Sequence, residues 1–245
     1  MPRKSTPASR LGPIKGASAF RRKLLGWFDR AARDLPWRRT RDPYHVLVSE
    51  VMLQQTQVSR VTEYFPRFLA RFPDLNTLAR ARPSAVREAW DGLGYYARAR
   101  NLHALAKEVT HHYQGVVPSD PAQLIKLPGV GRYTAGAVAS FAYERPVAAV
   151  DTNVARVIRR AFQGDGKATK GQAAKAVWDT ATALVPRDGS AWRFNQAIME
   201  LGALVCVARR PRCPECPVRK ECRTGQVAPI ALGNRARARK RRPSP

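Results

Sequence analysis

Leu127-Pro128-Gly129-Val130-Gly131-Arg132-Tyr133-Thr134-Ala135-Gly136, followed after a short apolar stretch by Asp151, is the segment on which the reading of this chain turns. A short helix is expected before it, from Pro121 to Lys126, with Asp120 as its cap and Pro121 in its first position. A second helix is expected after it, from Thr134 to Phe141. Between them lie two glycines, one residue apart. Glycine accepts a positive φ and lets another backbone come close. Successive amides ending at a helix N-terminus form an anion site. The hairpin is therefore suited to hold one phosphate of a DNA backbone, at Gly129, Gly131 and Arg132. The same segment aims Asp151 at whatever that backbone presents. The plainer alternative is a glycine turn in a helical protein, with Asp151 as a helix cap.

Charge points the same way. Among 245 residues, 44 lysines and arginines face 18 acids, a formal net charge of +26. Such an excess suggests a polyanionic partner, most simply nucleic acid. An arginine-favouring genome and solvated tails account for part of it. The length allows one large core or two smaller ones. There is no apolar run long enough to span a membrane, so no membrane partner is expected. The N-terminus lacks the apolar core of a secretory signal, and it carries no acid before Asp29. Residues 1–16 are expected to be a disordered basic arm, with an organellar transit peptide as the alternative. The expected location is cytoplasmic, at the nucleoid if the source is bacterial.

No stretch reads as a strand, and the expected class is all-α. Phe20, Leu24, Trp27, Phe28 and Ala31 share one helix face, with Ser18 as the expected cap. Asp42-Pro43 opens a helix running to about Gln54. Val58, Val61, Phe65, Phe68 and Leu69 form a third stripe, which Pro66 should kink or shorten. Shorter helices are expected at Ser84–Trp90 and Ala97–His112. Thr169 and Gln172 have capping-box spacing ahead of Ala173, Val177, Trp178, Ala181 and Leu184. A further helix, near Arg193 to Cys206, leads into the cysteines. Residues 225–245 read as a disordered basic tail, expected to add salt-sensitive, sequence-independent DNA affinity.

The four cysteines are Cys206, Cys213, Cys216 and Cys222, spaced C-x6-C-x2-C-x5-C. Disulfides are not expected in a chain of intracellular character. Four thiolates can hold zinc or an iron–sulfur cluster, and spacing alone does not choose. Flanking arginines make the segment a basic knuckle able to meet phosphates.

Several segments together resemble one family. They are Pro36-Trp37-Arg38, Ser49-Glu50-Val51-Met52-Leu53-Gln54-Gln55-Thr56-Gln57-Val58 and Gly92-Leu93-Gly94-Tyr95-Tyr96-Ala97-Arg98-Ala99-Arg100-Asn101-Leu102, then the hairpin, Val150-Asp151-Thr152-Asn153-Val154, Phe194-Asn195-Gln196 and the cysteines. In this order they resemble the A/G-specific adenine DNA glycosylases, the MutY type of the helix–hairpin–helix superfamily. The hairpin, the aspartate and the cysteine spacing are shared with endonuclease III and thymine-mismatch glycosylases. The Gln54-Gln55-Thr56 and Gly94-Tyr95-Tyr96 segments are more specific to adenine glycosylases. The resemblance implies a [4Fe–4S] cluster on the four cysteines. It also implies two helical lobes with a DNA cleft between them: a six-helix barrel at about 35–145, and a cluster lobe from 17–34 plus 146–224. The implied partner is double-stranded DNA with a mismatch or an oxidised guanine, met by a monomer.

Cutting a base from deoxyribose requires a neutral leaving base and a stabilised sugar cation. Two carboxyl groups can supply both. Glu50 is the candidate acid for adenine N7, because its apolar neighbours should bury it and keep its proton. Asp151 is the candidate anion facing C1′, and Asn153 the candidate that orients it. Family residues at these positions carry these roles. By resemblance, Gln54, Gln55 and Tyr95 meet the DNA stack, and Arg38, Leu53 and Gln196 line the adenine pocket. Bifunctional relatives carry a lysine where Tyr133 stands, so monofunctional hydrolysis is expected. Many adenine glycosylases add a C-terminal Nudix-like domain that helps recognise 8-oxoguanine. Here only a basic tail follows the cysteines, and a weaker preference for 8-oxoguanine is one expectation. Two alternatives stand beside this reading. One is a thymine or uracil mismatch glycosylase, and the other a non-catalytic DNA-binding module.

Overall fold

The computed structural model describes residues 14–164 and 169–226. Positions 1–13 of the expected basic arm and 227–245 of the expected tail lie outside the described residues. The described residues are helical, without strands. The chain forms two compact units: Arg33–Ala149, and a second that joins residues up to Ala32 to those from Val150 onward.

The first unit is built around α2, Pro43–Leu53. Asp42 caps it, its side chain accepting from the amides of Tyr44 and His45 at 2.8 and 3.1 Å. A cap of this kind stabilises a helix by about 1 kcal/mol. Tyr44 and every residue from Val46 to Met52 are buried, Glu50 among them. A helix covered on nearly all sides belongs in the interior. It packs on α3 (Val58–Arg71), α6 (Ala97–His112) and α8 (Arg132–Phe141). Helix α3 runs through Pro66 without stopping. Val61, Phe65 and Phe68 are buried on one face while Pro66 is exposed, so their packing outweighs the lost amide. Helix α4, Leu75–Arg80, has no counterpart in the sequence reading, although Asp74 caps it through Thr77 at 2.7 Å. Helix α5 is Pro83–Ala89. Helix α7 is only Pro121–Leu124, and single turn bonds carry the chain on to Leu127.

In the second unit, α1 (Ala17–Ala31) buries Phe20, Leu24 and Phe28. Gly16, in the left-handed region, stands at its N-cap without a side-chain bond. Ser18 therefore lies inside the first turn and is not the cap. Helix α9, Thr152–Ile158, passes into a π-helical turn, Arg159–Gln163. Phe162 of that turn meets Phe20 edge-on at 5.0 Å. Helix α10, Lys170–Leu184, opens with the full Thr169–Gln172 capping box. Helix α11, Ala191–Leu204, packs on α1 and α9 and ends just short of Cys206. Helix α12 is Arg223–Gln226. Among the described residues, no helix is long and apolar enough to cross a membrane.

Candidate functional site

The two hairpin glycines are not equivalent. Gly129 has a φ of +76°, and a Cβ there would meet Asn101 Cβ at 2.8 Å. Only glycine fits that position without strain. Gly131 is the N-cap of α8, with an ordinary φ of −91°, and a Cβ there meets nothing within 4 Å. The protein itself does not require glycine at 131. The open space lies beside the first amides of α8, where an anion would approach.

Tyr133, in the first turn of α8, reaches the buried face of α2. Its hydroxyl donates to Glu50 Oε2 at 2.6 Å. Glu50 is only 4% exposed. Burial of this kind penalises a carboxylate charge, so a hydrogen bond to the carboxyl is what allows the group to stay inside.

Asp151 stands at the head of α9. Its Oδ1 accepts from the Val154 amide at 2.7 Å, so Asp151 is a helix cap. Its Oδ2 accepts from Asn153 Nδ2 at 2.8 Å. Asn153 Oδ1 in turn accepts from Arg156 Nη2 at 2.7 Å. Arg156 continues to the Gly202 and Cys206 carbonyls, both at 2.7 Å. Burial lowers the Arg156 pKa from the ordinary arginine value, and Cys206 and Asp151 oppose that shift. Gly202 of α11 faces Asn153 so closely that a Cβ would stand 2.6 Å from Asn153 Cβ. Glycine here lets α11 approach α9 and fixes the asparagine against it.

Gln55 and Tyr95 lie on turns and share an uncommon backbone. Their φ values are +56° and +48°. Each such residue costs about 1–3 kcal/mol, and persists only where surrounding bonds over-determine it. Tyr95 is 61% exposed, which excludes a core role. Gln55 is exposed, and Gln54 is half-buried. Arg38 ends a short 3-10 turn, Pro36–Arg38, and donates to the Arg33 carbonyl at 3.0 Å. Leu53 ends α2 half-buried, and Gln196 is buried on α11. Glu50, Tyr133, Arg38, Leu53, Gln54, Gln55 and Tyr95 thus belong to the first unit, and Asp151, Asn153 and Gln196 to the second.

The sequence reading missed Arg98 as a site residue. It is 7% exposed and donates into both of the turns that carry Gln55 and Tyr95. A signal was present: Arg98 stands in phase with Leu102, Leu105 and Val109, the buried stripe of α6.

Cys206, Cys213, Cys216 and Cys222 line one cavity with Val205, Pro211 and Gly225. Among the described residues, no three potential ligands are grouped closely enough for a single metal ion. Four thiols around one cavity form a donor set for either a zinc ion or an iron–sulfur cluster. Burial pushes the Cys216 thiol up to about 11 and also raises Cys222, and the neighbouring thiols add to both shifts. To ionise together, these thiols would need positive charge between them. Arg160 Nη1 already donates to Cys206 Sγ at 3.3 Å, and the Gly225 amide donates to Cys222 Sγ at 3.3 Å.

The sequence pattern of HhH-GPD superfamily base excision DNA repair proteins matches residues 48–182, a span that includes Glu50, the hairpin and Asp151. The chain belongs to this superfamily. It is 48% identical over 202 residues to an adenine DNA glycosylase of Mycolicibacterium smegmatis, covering 82% of this chain and 68% of that protein. It is 44% identical over 232 residues to the adenine DNA glycosylase of Rattus norvegicus, covering 90% of this chain and 44% of the relative. The chain thus spans less than half the length of the rat relative. Among solved structures of the superfamily's fold, a thermostable thymine-DNA glycosylase superposes with a TM-score of 0.80 at 32% identity, over 87% of this chain and 98% of the other. A trapped endonuclease III–DNA covalent intermediate superposes with a TM-score of 0.71 at 26% identity, over 88% and 97%.

Proposed function

We propose that this HhH-GPD chain is a monofunctional base-excision-repair glycosylase. It hydrolyses the N-glycosidic bond of adenine mispaired with 8-oxoguanine or guanine in double-stranded DNA, and it acts as a monomer. The observation that carries the reading is the buried Glu50 carboxyl held by Tyr133, the hairpin's own residue. Relatives named adenine DNA glycosylases support the choice of base.

The target nucleoside must leave the stack before it can react. Gln55 and Tyr95, projecting from their turns, enter the duplex beside the opposite guanine. Arg38, Leu53 and Gln196 receive the adenine. Glu50 gives its proton to N7 as the C1′–N9 bond breaks and the bond pair moves to N9, so the base departs neutral. The Asp151 carboxylate faces the cation developing at C1′ and stabilises it without moving, because Val154 and Asn153 already hold it. A water oxygen bonds to C1′ and its proton returns to a carboxylate. The products are adenine and an abasic site. Tyr133 is not an amine and forms no Schiff base, so the strand stays uncut.

Cys206, Cys213, Cys216 and Cys222 would hold a [4Fe–4S] cluster. Bound there, it supplies a structural clip that orders the basic segment from Cys206 to Cys222.

A single-turnover panel tests this, with one labelled duplex carrying A:8-oxoG, A:G, A:C, T:G or U:G, followed by alkali. Excision of adenine from the first two is expected. The similarity to a thymine-DNA glycosylase favours a second reading. Cutting at T:G or U:G with adenine untouched would establish it. Tight mismatch binding without excision would leave a binding module.

A further inference from the structure

Arg98 is a buried cation whose partners among the described residues are backbone carbonyls, one hydroxyl and two rings. Nη1 donates to the carbonyls of Val51, Met52 and Gln54 at 3.1, 2.7 and 2.6 Å. Nη2 donates to Thr56 Oγ1 and to the carbonyls of Leu93 and Gly94, at 3.0, 3.2 and 3.1 Å. The guanidinium lies over the Trp90 ring at 5.4 Å and the Tyr95 ring at 5.6 Å. Trp90 Nε1 also donates to the Gly94 carbonyl, at 3.2 Å.

Two of these acceptors have a particular place. The Gln54 carbonyl immediately precedes Gln55, and the Gly94 carbonyl immediately precedes Tyr95. Gln55 and Tyr95 are the left-handed residues of their turns. Turning the peptide before either residue would break its bond to the guanidinium. The Val51 and Met52 carbonyls belong to the last turn of α2, where no intrahelical donor remains. One planar group therefore closes the end of the helix that carries Glu50, and locks both turns against it. A lysine ammonium has three donors and no plane, and cannot span these acceptors.

We propose that Arg98 is a positioning residue that couples the Gln55 and Tyr95 turns into one rigid DNA-reading edge. Neither turn keeps its geometry without the other. The role rests on the glycosylase reading only for the ligand, a duplex opened at a lesion. The clamp itself is a property of the free protein.

The test uses the full chain and Arg98→Lys. Amide exchange is followed over 54–57 and 93–97. Affinity is measured for two duplexes of equal length, one fully paired and one carrying a tetrahydrofuran abasic analogue opposite guanine. Exchange in both segments should rise together by about tenfold or more. The preference for the lesion duplex should fall by roughly tenfold, with affinity for the paired duplex unchanged. Protection retained in either turn overturns the proposal. An equal loss for both duplexes also overturns it, because that is the signature of general destabilisation. If the lysine variant does not fold, Thr56→Val removes one acceptor and leaves the charge in place. Both turns should then loosen to a smaller extent, and loosening of 54–57 alone overturns the coupling. A wild-type protein that neither prefers the lesion duplex nor excises adenine defeats the glycosylase reading, and the exchange measurement still decides the clamp.

Discussion

The Tyr133 hydroxyl donates to Glu50 Oε2 across 2.6 Å, tying the first turn of the hairpin's second helix to the interior of α2. A segment suited to a backbone phosphate is thereby joined to the one acid in the buried run Val46–Met52. The two ends of this contact can be separated by mutation.

Glu50→Gln keeps an acceptor for Tyr133 but has no acidic proton to give. Its thermal midpoint should stay close to that of the parent, because an amide, like a protonated acid, is neutral and leaves Tyr133 an acceptor. Adenine excision should fall at least 100-fold, the usual weight of a general acid. Tyr133→Phe should do the reverse in part. Removing one partner of a buried hydrogen bond should cost about 1–3 kcal/mol by denaturant unfolding. Excision should fall less than in the glutamine variant. Equal activity in Glu50→Gln and the parent would remove Glu50 from the chemistry.

Asp151 caps α9 as well as standing as the candidate anion. Asparagine caps as well as aspartate does but sets an NH2 against Asn153 Nδ2, so Asp151→Asn should cost only about 1 kcal/mol of stability. Excision measured in a single turnover should drop by roughly 100-fold or more, because the negative charge is gone. If activity instead follows the small loss of stability, Asp151 is a cap and nothing else.

The two hairpin glycines should respond in opposite ways to alanine. Gly129→Ala forces a side chain into a positive φ and against Asn101, and should destabilise the chain by about 1–2 kcal/mol or more. Gly131→Ala should leave the thermal midpoint unchanged. It should weaken DNA binding, seen in a fluorescence titration, because its methyl enters the space beside the α8 amides. Unchanged DNA affinity in Gly131→Ala would argue that no phosphate sits there.

The purified protein should contain iron and inorganic sulfide in equal amounts. Cys216→Ser should lose both, and the basic segment Cys206–Cys222 should become sensitive to protease. Stoichiometric zinc in place of iron would replace the cluster with a single-ion site.

The local chemistry was readable without coordinates. Asp42-Pro43, Asp120-Pro121 and the Thr169–Gln172 box each mark a helix start, because a cap satisfies amides only two or three residues away. Glu50 reads as buried because its whole neighbourhood is apolar, and it is. Pro66 does not end α3, because the amide bond it forfeits is local, whereas the burial of Phe65 and Phe68 that offsets it is not. Ser18 misled the reading because a capping residue type says nothing about which turn comes first.

What the sequence by itself determined is the class, all-α, and the set of chemical groups: two acids, a hairpin with two glycines, and four cysteines. Each depends on residue type and short spacing. What only the tertiary structure decided is which groups touch. Glu50 and Tyr133 are 83 residues apart in the chain, and Arg98 lies more than 40 residues from the α2 carbonyls that it closes. No pattern along the chain encodes such pairs. They exist because α2 is wrapped on nearly every side, so α6 and α8 must deliver a polar group wherever α2 buries one.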